Sequence, residues 1–233
     1  GTFTNNGTIK TSVPTATSAT PLPSGLTWAG TIVYGAATGA QTVVTGTYRN
    51  LLLSNTSGTN TADGDITVNT GTMTTTAGGT LDMGSTNILS GTGTFTNNGT
   101  IVTAVPTYIS ATPIPSGKSW AGTVFYNEAT GDQTIVSATA YNNLKLGNSS
   151  GTNVAAANLV VNGALTTTTG GTLDMVSQTL SGSLTSISGG GTILTGNTSG
   201  APISSGKTWT QLINYDNITG GQTIVSGTYN GGL

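Results

Sequence analysis

The sequence predicts an all-β chain, a right-handed parallel β-helix built from 92-residue repeats. Three observations predict it. Whole phrases recur at one fixed distance. Apolar and polar residues alternate only in runs of three to five. Gly, Asn and Pro punctuate nearly every run.

The recurrence is checked by position. "GTI" begins at Gly7, Gly99 and Gly191, so the period is 92, and "GTLDM" at Gly79 returns at Gly171. Trp28, Trp120 and Trp209 keep 92 and then 89, as do the Gln41, Gln133 and Gln222 that open "QTVV" and "QTIV". The repeats are therefore 1–92, 93–184 and a partial 185–233. They read as one continuous solenoid and as a segment of a longer array. A fixed period of this kind is the mark of stacked architectures, in which each unit buries its apolar face against the next.

Within a repeat the elements follow in order. "GTFTNNGTI" opens with Thr2-Phe3-Thr4, one large residue inward between two hydroxyls. Its Asn-Asn-Gly fits a hairpin tip, and it fits a solenoid corner equally well, since Asn or Gly supplies positive φ at either. All seven prolines then fall in one stretch per repeat, "VPTATSATPLPSG" in the first. Proline cannot donate to a ladder, so this stretch is expected to be a loop leaving the body. The three tryptophans follow it directly. Farther on, Ile66 and Val68 face one way with Thr67 opposite, and Leu81 and Met83 flank an outward Asp82.

No segment sustains a 3.6-residue period or a helix cap. The competing all-β arrangement is a string of tandem immunoglobulin-like sandwiches of about 100 residues each. Sandwich strands usually run five or six residues over a concentrated core. The runs here are shorter and aromatics are only 6%. A β-helix accepts this, because successive rungs continue the core and Thr or Asn can stack between them.

Composition excludes several roles. Charged residues are 5%, against about 25% in an ordinary domain. Roughly fifty residues are threonine and 36 are glycine, with a net charge of -2, so no basic footprint for nucleic acid exists. No apolar run is long enough for a membrane helix. With no cysteine and no histidine, disulfides and Ser-His-Asp or histidine–metal chemistry are ruled out.

"LVVNGALTTTTGGTLDM", "GTFTNNGTI" and "NITGGQTIVSGTYNGGL" resemble the Thr/Gly/Asn-rich repeats of giant surface proteins of Gram-negative bacteria. Those are similar to the filamentous-haemagglutinin class of adhesins, with exported β-helical shafts. The resemblance covers essentially the whole chain and is one of texture, without a catalytic motif. It implies export, an extracellular or cell-surface place, and an adhesive or structural role. The 92-residue unit and the Pro-rich stretch depart from the usual shaft.

Candidates for chemistry are few. Asp82 and Asp174 hold the same place in "TLDM" and are expected to face solvent. Asp63 and Asp65 form a close pair in "ADGDI" that suggests a calcium loop, but the second copy reads "AAANL" there. Glu128 and Asp132 replace Ala36 and Ala40 and read as loop charges. Lys10, Arg49, Lys118, Lys145 and Lys207 are scattered. No catalytic group, cofactor or metal site is therefore expected. Ice binding would need regular Thr-x-Thr arrays. "TFT" at Thr94 gives way to Ser186-Ile187-Ser188, and "TMT" at Thr72 to Ala164-Leu165-Thr166. Asn-x-Ser/Thr at Asn6, Asn55, Asn98, Asn148, Asn197 and Asn217 is expected by chance in such a chain.

The best binding candidates are aromatic. Trp28 and Tyr34, Trp120 and Tyr126, and Trp209 and Tyr215 keep a six-residue spacing. Exposed, these rings would stack on sugars or grip a partner. Buried, the Trp plugs the core beneath the Pro-rich stretch, which is the reading favoured. The expected function is a structural and adhesive shaft segment forming a fibre or surface filament. Its expected partners are further copies of the repeat, stacked or continued head to tail, with surface carbohydrate as a candidate ligand. The alternative is a carbohydrate- or ice-binding solenoid.

Overall fold

The structure is a computed structural model and describes residues 4–233; the inward placement expected of Phe3 lies outside these residues. Among the described residues every regular element is a strand, and the ladders are parallel. The chain builds a parallel β-solenoid, and the sandwich alternative is excluded. It divides into two compact units. The first runs to Val105 and adds Pro113–Pro115 and Trp120–Thr123, and the second takes Pro106–Thr112, Ser116–Ser119 and Val124–Leu233.

In the first unit, one inward ladder climbs from Ile9 through Ile32, Leu51 and Met73 to Phe95. A second climbs from Asn60 through Leu81 to Ile101. A third joins Trp28, Tyr48 and Val68. Three faces of short strands thus enclose one core. In the second unit, Leu144, Leu165 and Ile187 form one ladder, and Asn153, Leu173, Ile193 and Ile213 another. Leu81 and Leu173 are both fully buried, as their alternation with outward Asp82 and Asp174 requires.

The rungs do not divide the repeat evenly. Four steps of the first ladder carry it from Ile9 to Phe95, 86 residues on and six short of the period. A rung therefore takes about 21 residues, and 92 residues make about four and a third rungs. Ile101, the repeat partner of Ile9, accordingly lies in a different ladder from Ile9. The second unit shows the same step. Tyr126 stacks against the strand ending at Leu146, where Gly147 donates to its carbonyl at 2.8 Å. Its repeat partner Tyr215 pairs with Thr195 on another face. Equivalent residues advance by one face per repeat. At about 4.8 Å between strands, one repeat advances about 21 Å.

The Pro-rich stretch is stacked within a rung, which corrects the expectation of a loop leaving the body. Pro113 lies over the Ser90 strand and accepts a hydrogen bond from Leu89 N–H at 3.0 Å, with Ile114 fully buried. In the second unit, Leu180 donates to Pro202 at 3.0 Å and Ile203 is buried. A proline can accept from the rung below although it has no N–H to donate.

Asn97-Asn98-Gly99 is a solenoid corner. It joins strand Thr94–Asn97, which pairs with Thr72–Thr75, to strand Thr100–Thr103, which pairs with Thr80–Asp82. The expected positive φ is absent there. Gly99 is needed for close approach instead, because a Cβ would collide with the carbonyl oxygens of Gly79 and Thr76. Asn97 is buried, accepts from the Thr75 hydroxyl at 2.6 Å and donates to the Thr123 carbonyl at 3.0 Å. Its side chain ties neighbouring rungs together.

Candidate functional site

The Trp–Tyr–Gln phrases carry the candidate contact residues, and the structure places them in the core. Trp28, Trp120, Trp209, Tyr34 and Tyr126 are essentially fully buried, and Tyr215 is half-buried. The reading of these rings as exposed platforms is thereby corrected, while the core-plug reading of the three tryptophans holds. Trp120 packs on Phe95 with ring centroids 5.9 Å apart and planes tilted by 57°, an edge-to-face type of arrangement.

Each copy also holds a tyrosine pair around the backbone of one valine. In the first, Val44 N–H donates to the Tyr34 hydroxyl at 2.9 Å and the Tyr48 hydroxyl donates to the Val44 carbonyl. In the second, Val136 N–H donates to Tyr126 at 3.1 Å and Tyr141 donates to the Val136 carbonyl at 2.8 Å. The two hydroxyls lie 3.3 Å apart. Tyr215, Tyr229 and Val225 repeat the clasp. The valine follows the apolar position of "QTVV" or "QTIV", buried as Val43 and Ile135 in the first two copies, where the chain turns a corner. The tyrosines satisfy polar groups that no ladder reaches.

The glutamine of the same phrase works one step earlier. Gln41 Nε2 donates to the Thr11 carbonyl at 3.1 Å, its Oε1 accepts from Ala36 N–H at 2.8 Å, and its own N–H donates to Asn60 Oδ1 at 3.1 Å. Asn60 in turn donates to Asn55 at 3.2 Å. Gln133, Asn153 and Asn148 rebuild this chain in the second copy. The repeated motifs are thus corner locks. Asn55, Asn148 and Asn197 are buried, so the sequons at these three residues present no acceptor amide to solvent in the folded chain.

Burial marks the electrostatics of the clasp. It pushes the Tyr126 phenol from 10.0 up to about 12, opposed in part by the hydrogen bonds with Tyr141 and Val136. Burial likewise raises Tyr141, helped by the charge Tyr126 would carry. A phenol raised in the fold favours the neutral form there. Its stabilising contribution is full below the unfolded value of 10 and is lost as pH rises through about 12. The circular dichroism of the chain is expected to hold to about pH 10 and to collapse on approach to pH 12, together with phenolate absorbance from the buried tyrosines. Ordinary titration of all seven tyrosines with the fold intact would contradict this placement.

The acids are peripheral. Asp63 Oδ1 accepts from Thr45 N–H, and Asp65 Oδ1 accepts from Ile88 N–H at 2.8 Å, so each caps backbone on a neighbouring rung. Asp82 and Asp174 each accept from the backbone two residues on, at 2.8 and 2.7 Å. Among the described residues no cluster of three or more His, Cys, Asp or Glu could hold a metal ion. Outward hydroxyls do align, as Thr27, Thr47, Thr67 and Ser90 on one face and Thr59, Thr80 and Thr100 on another. The row beside the latter reads Thr61, Asp82 and Val102, so no regular double row forms there.

One residue passed over in the sequence is Tyr108. It stands 85% exposed on an open groove of about 500 Å³ lined by Thr107, Asp132, Thr152 and Val154. The available signal is the internal one: the first copy has Ala16 and Ala40 where the second has Tyr108 and Asp132. Compared with known proteins, the chain gives no significant match to any family model, curated protein or solved structure.

Proposed function

We propose that the chain is a shaft segment of an extracellular bacterial repeat protein, structural and adhesive, serving a fibre or cell-surface filament. The observation that carries this reading is the mismatch between repeat and rung. With about four and a third rungs per repeat, a residue used once per repeat is dealt in turn to each face. A solenoid with one working face, such as a flat array for ice, would gain from whole rungs per repeat, which keep equivalent side chains in line. A load-bearing rod has no such need. The dense ladders and buried Asn, Gln and Tyr locks suit stiffness and resistance to proteolysis, since local opening breaks several buried hydrogen bonds at once. The surface location, the adhesive role and head-to-tail continuation into further repeats belong to the same proposal, supported by the resemblance to adhesin shafts. Electron microscopy of chains carrying increasing numbers of repeats tests it. Unbranched rods that lengthen by about 21 Å per added repeat are expected. Compact particles whose longest dimension does not track repeat number would overturn it.

A further inference from the structure

We propose that the groove beside Tyr108 in the second copy is a subsite for a neutral hexopyranose within a glycan. The inference rests on the adhesive part of the reading above and names the ligand class it would take, while the rod is tested separately.

The two copies share a scaffold here. In both, a turn after proline is pinned to the next rung: Thr15 N–H donates to the Ala40 carbonyl at 2.7 Å, and Thr107 N–H to the Asp132 carbonyl at 2.6 Å. In both, the threonine hydroxyl meets a second one 2.9 Å away, on Thr42 or Thr134. The Pro106 carbonyl further accepts from Ile109 and Ser110 at 3.0 and 3.1 Å. The platform is therefore held in place before any ligand arrives, which lowers the ordering cost of binding.

The copies differ in what this platform displays. Ala16, Ala40 and Thr61 in the first copy become Tyr108, Asp132 and Val154 in the second. Four of the other tyrosines are buried and Tyr215 and Tyr229 are half-buried, so Tyr108 alone offers a largely free ring. Val154 is 38% exposed on the same groove. The backbone itself is shared, with Ala40 at φ 58° and Asp132 at φ 60°, so the difference lies in the side chains.

These groups match a pyranose. Its C–H face stacks on an aromatic ring and its vicinal hydroxyls donate to a carboxylate. Its remaining oxygens meet the hydroxyls of Thr107 and Thr152. Among the described residues no cationic side chain lines the groove, so an acidic sugar would find no counter-charge beside Asp132. The volume falls in the usual range for small-ligand sites, and the open side lets a longer glycan pass.

The test titrates the full chain with hexaoses of glucose, mannose and galactose, followed by calorimetry and by the Tyr108 ring resonances. Saturable one-to-one binding of at least one hexaose is expected. Tyr108→Ala should weaken it about three- to tenfold, Tyr108→Phe should retain it, and Asp132→Ala should weaken it. Both residues are exposed, and unchanged circular dichroism confirms that the variants fold. Grafting Ala16→Tyr, Ala40→Asp and Thr61→Val into the first copy should raise the stoichiometry to two. Absence of binding by all three hexaoses, or binding that Tyr108→Ala leaves unmoved, would overturn the proposal. So would a Tyr108→Ala variant that alters only self-association of the free protein. None of these outcomes bears on rod formation, so the two readings fail separately.

Discussion

Gly91→Ala is expected to destabilise the first unit by about 3–5 kcal/mol, the sum of backbone strain and a steric clash. Gly91 sits at φ +111°, outside the range of L-residues, at the corner between Ser90 and Thr94. A Cβ there would lie 2.6 Å from the Val68 carbonyl carbon and 2.7 Å from its nitrogen, and nearer still to its oxygen. That carbonyl is already committed, accepting from Gly93 N–H at 2.8 Å. Backbone held on both sides cannot yield as a side chain would. Gly182 occupies the same corner in the next copy, at φ +106° over Val161. Gly84 provides the control. Its φ is +69°, and a Cβ there would meet no atom within 4 Å, so Gly84→Ala should cost only about 1 kcal/mol of strain. Denaturant titration of the Gly84, Gly91 and Gly182 variants, with hydrogen exchange near Val68, reads the difference. Equal effects for Gly84→Ala and Gly91→Ala would show that corner-on-corner packing is looser than described.

Trp120→Ala should cost about 3–5 kcal/mol, the range for deleting a large buried ring. Trp120 is 1% exposed and contacts Phe95, so its removal opens a cavity that Phe95 alone cannot fill. Trp120→Phe should cost less, because the indole N–H it deletes has no hydrogen-bond partner among the described residues. A sugar-stacking Trp on the surface would behave differently, and its replacement by Ala would leave stability almost unchanged. Stability measurements on the two variants therefore separate core plug from contact platform.

Much of this fold is legible in the sequence, and the reasons are local. Thr72-Met73-Thr74 and Thr94-Phe95-Thr96 alternate with period two, and the structure pairs them directly, Met73 beside Phe95. Leu81 and Leu173 are readable as inward for the same reason. The misreadings arise where an answer depends on register. Proline's missing N–H suggests a loop, yet Pro113 and Pro202 need only their carbonyls to stack on Leu89 and Leu180. Asn-Gly suggests positive φ, whereas Gly99 serves by leaving room for the carbonyls of Thr76 and Gly79 on the adjoining rung. The six-residue Trp–Tyr spacing is a sound signal of shared structure. It cannot distinguish a surface from a corner lock, because the partner, Val44 or Val136, is identified only once the rungs are stacked. The one-face advance per repeat is hidden for the same reason, since a period of 92 does not announce how many rungs divide it.

That division is the central claim, and engineered disulfides test it most directly, in a chain without cysteine. Rungs of about 21 residues pair Thr80 with Thr100, whereas four equal rungs of 23 would pair Thr80 with Thr103. Neighbouring parallel strands lie within disulfide reach. Mild oxidation should close Thr80→Cys with Thr100→Cys and leave Thr80→Cys with Thr103→Cys open, read by mass spectrometry of the digested chain. Efficient closure of the Thr103 pair, with the Thr100 pair remaining reduced, would contradict the account.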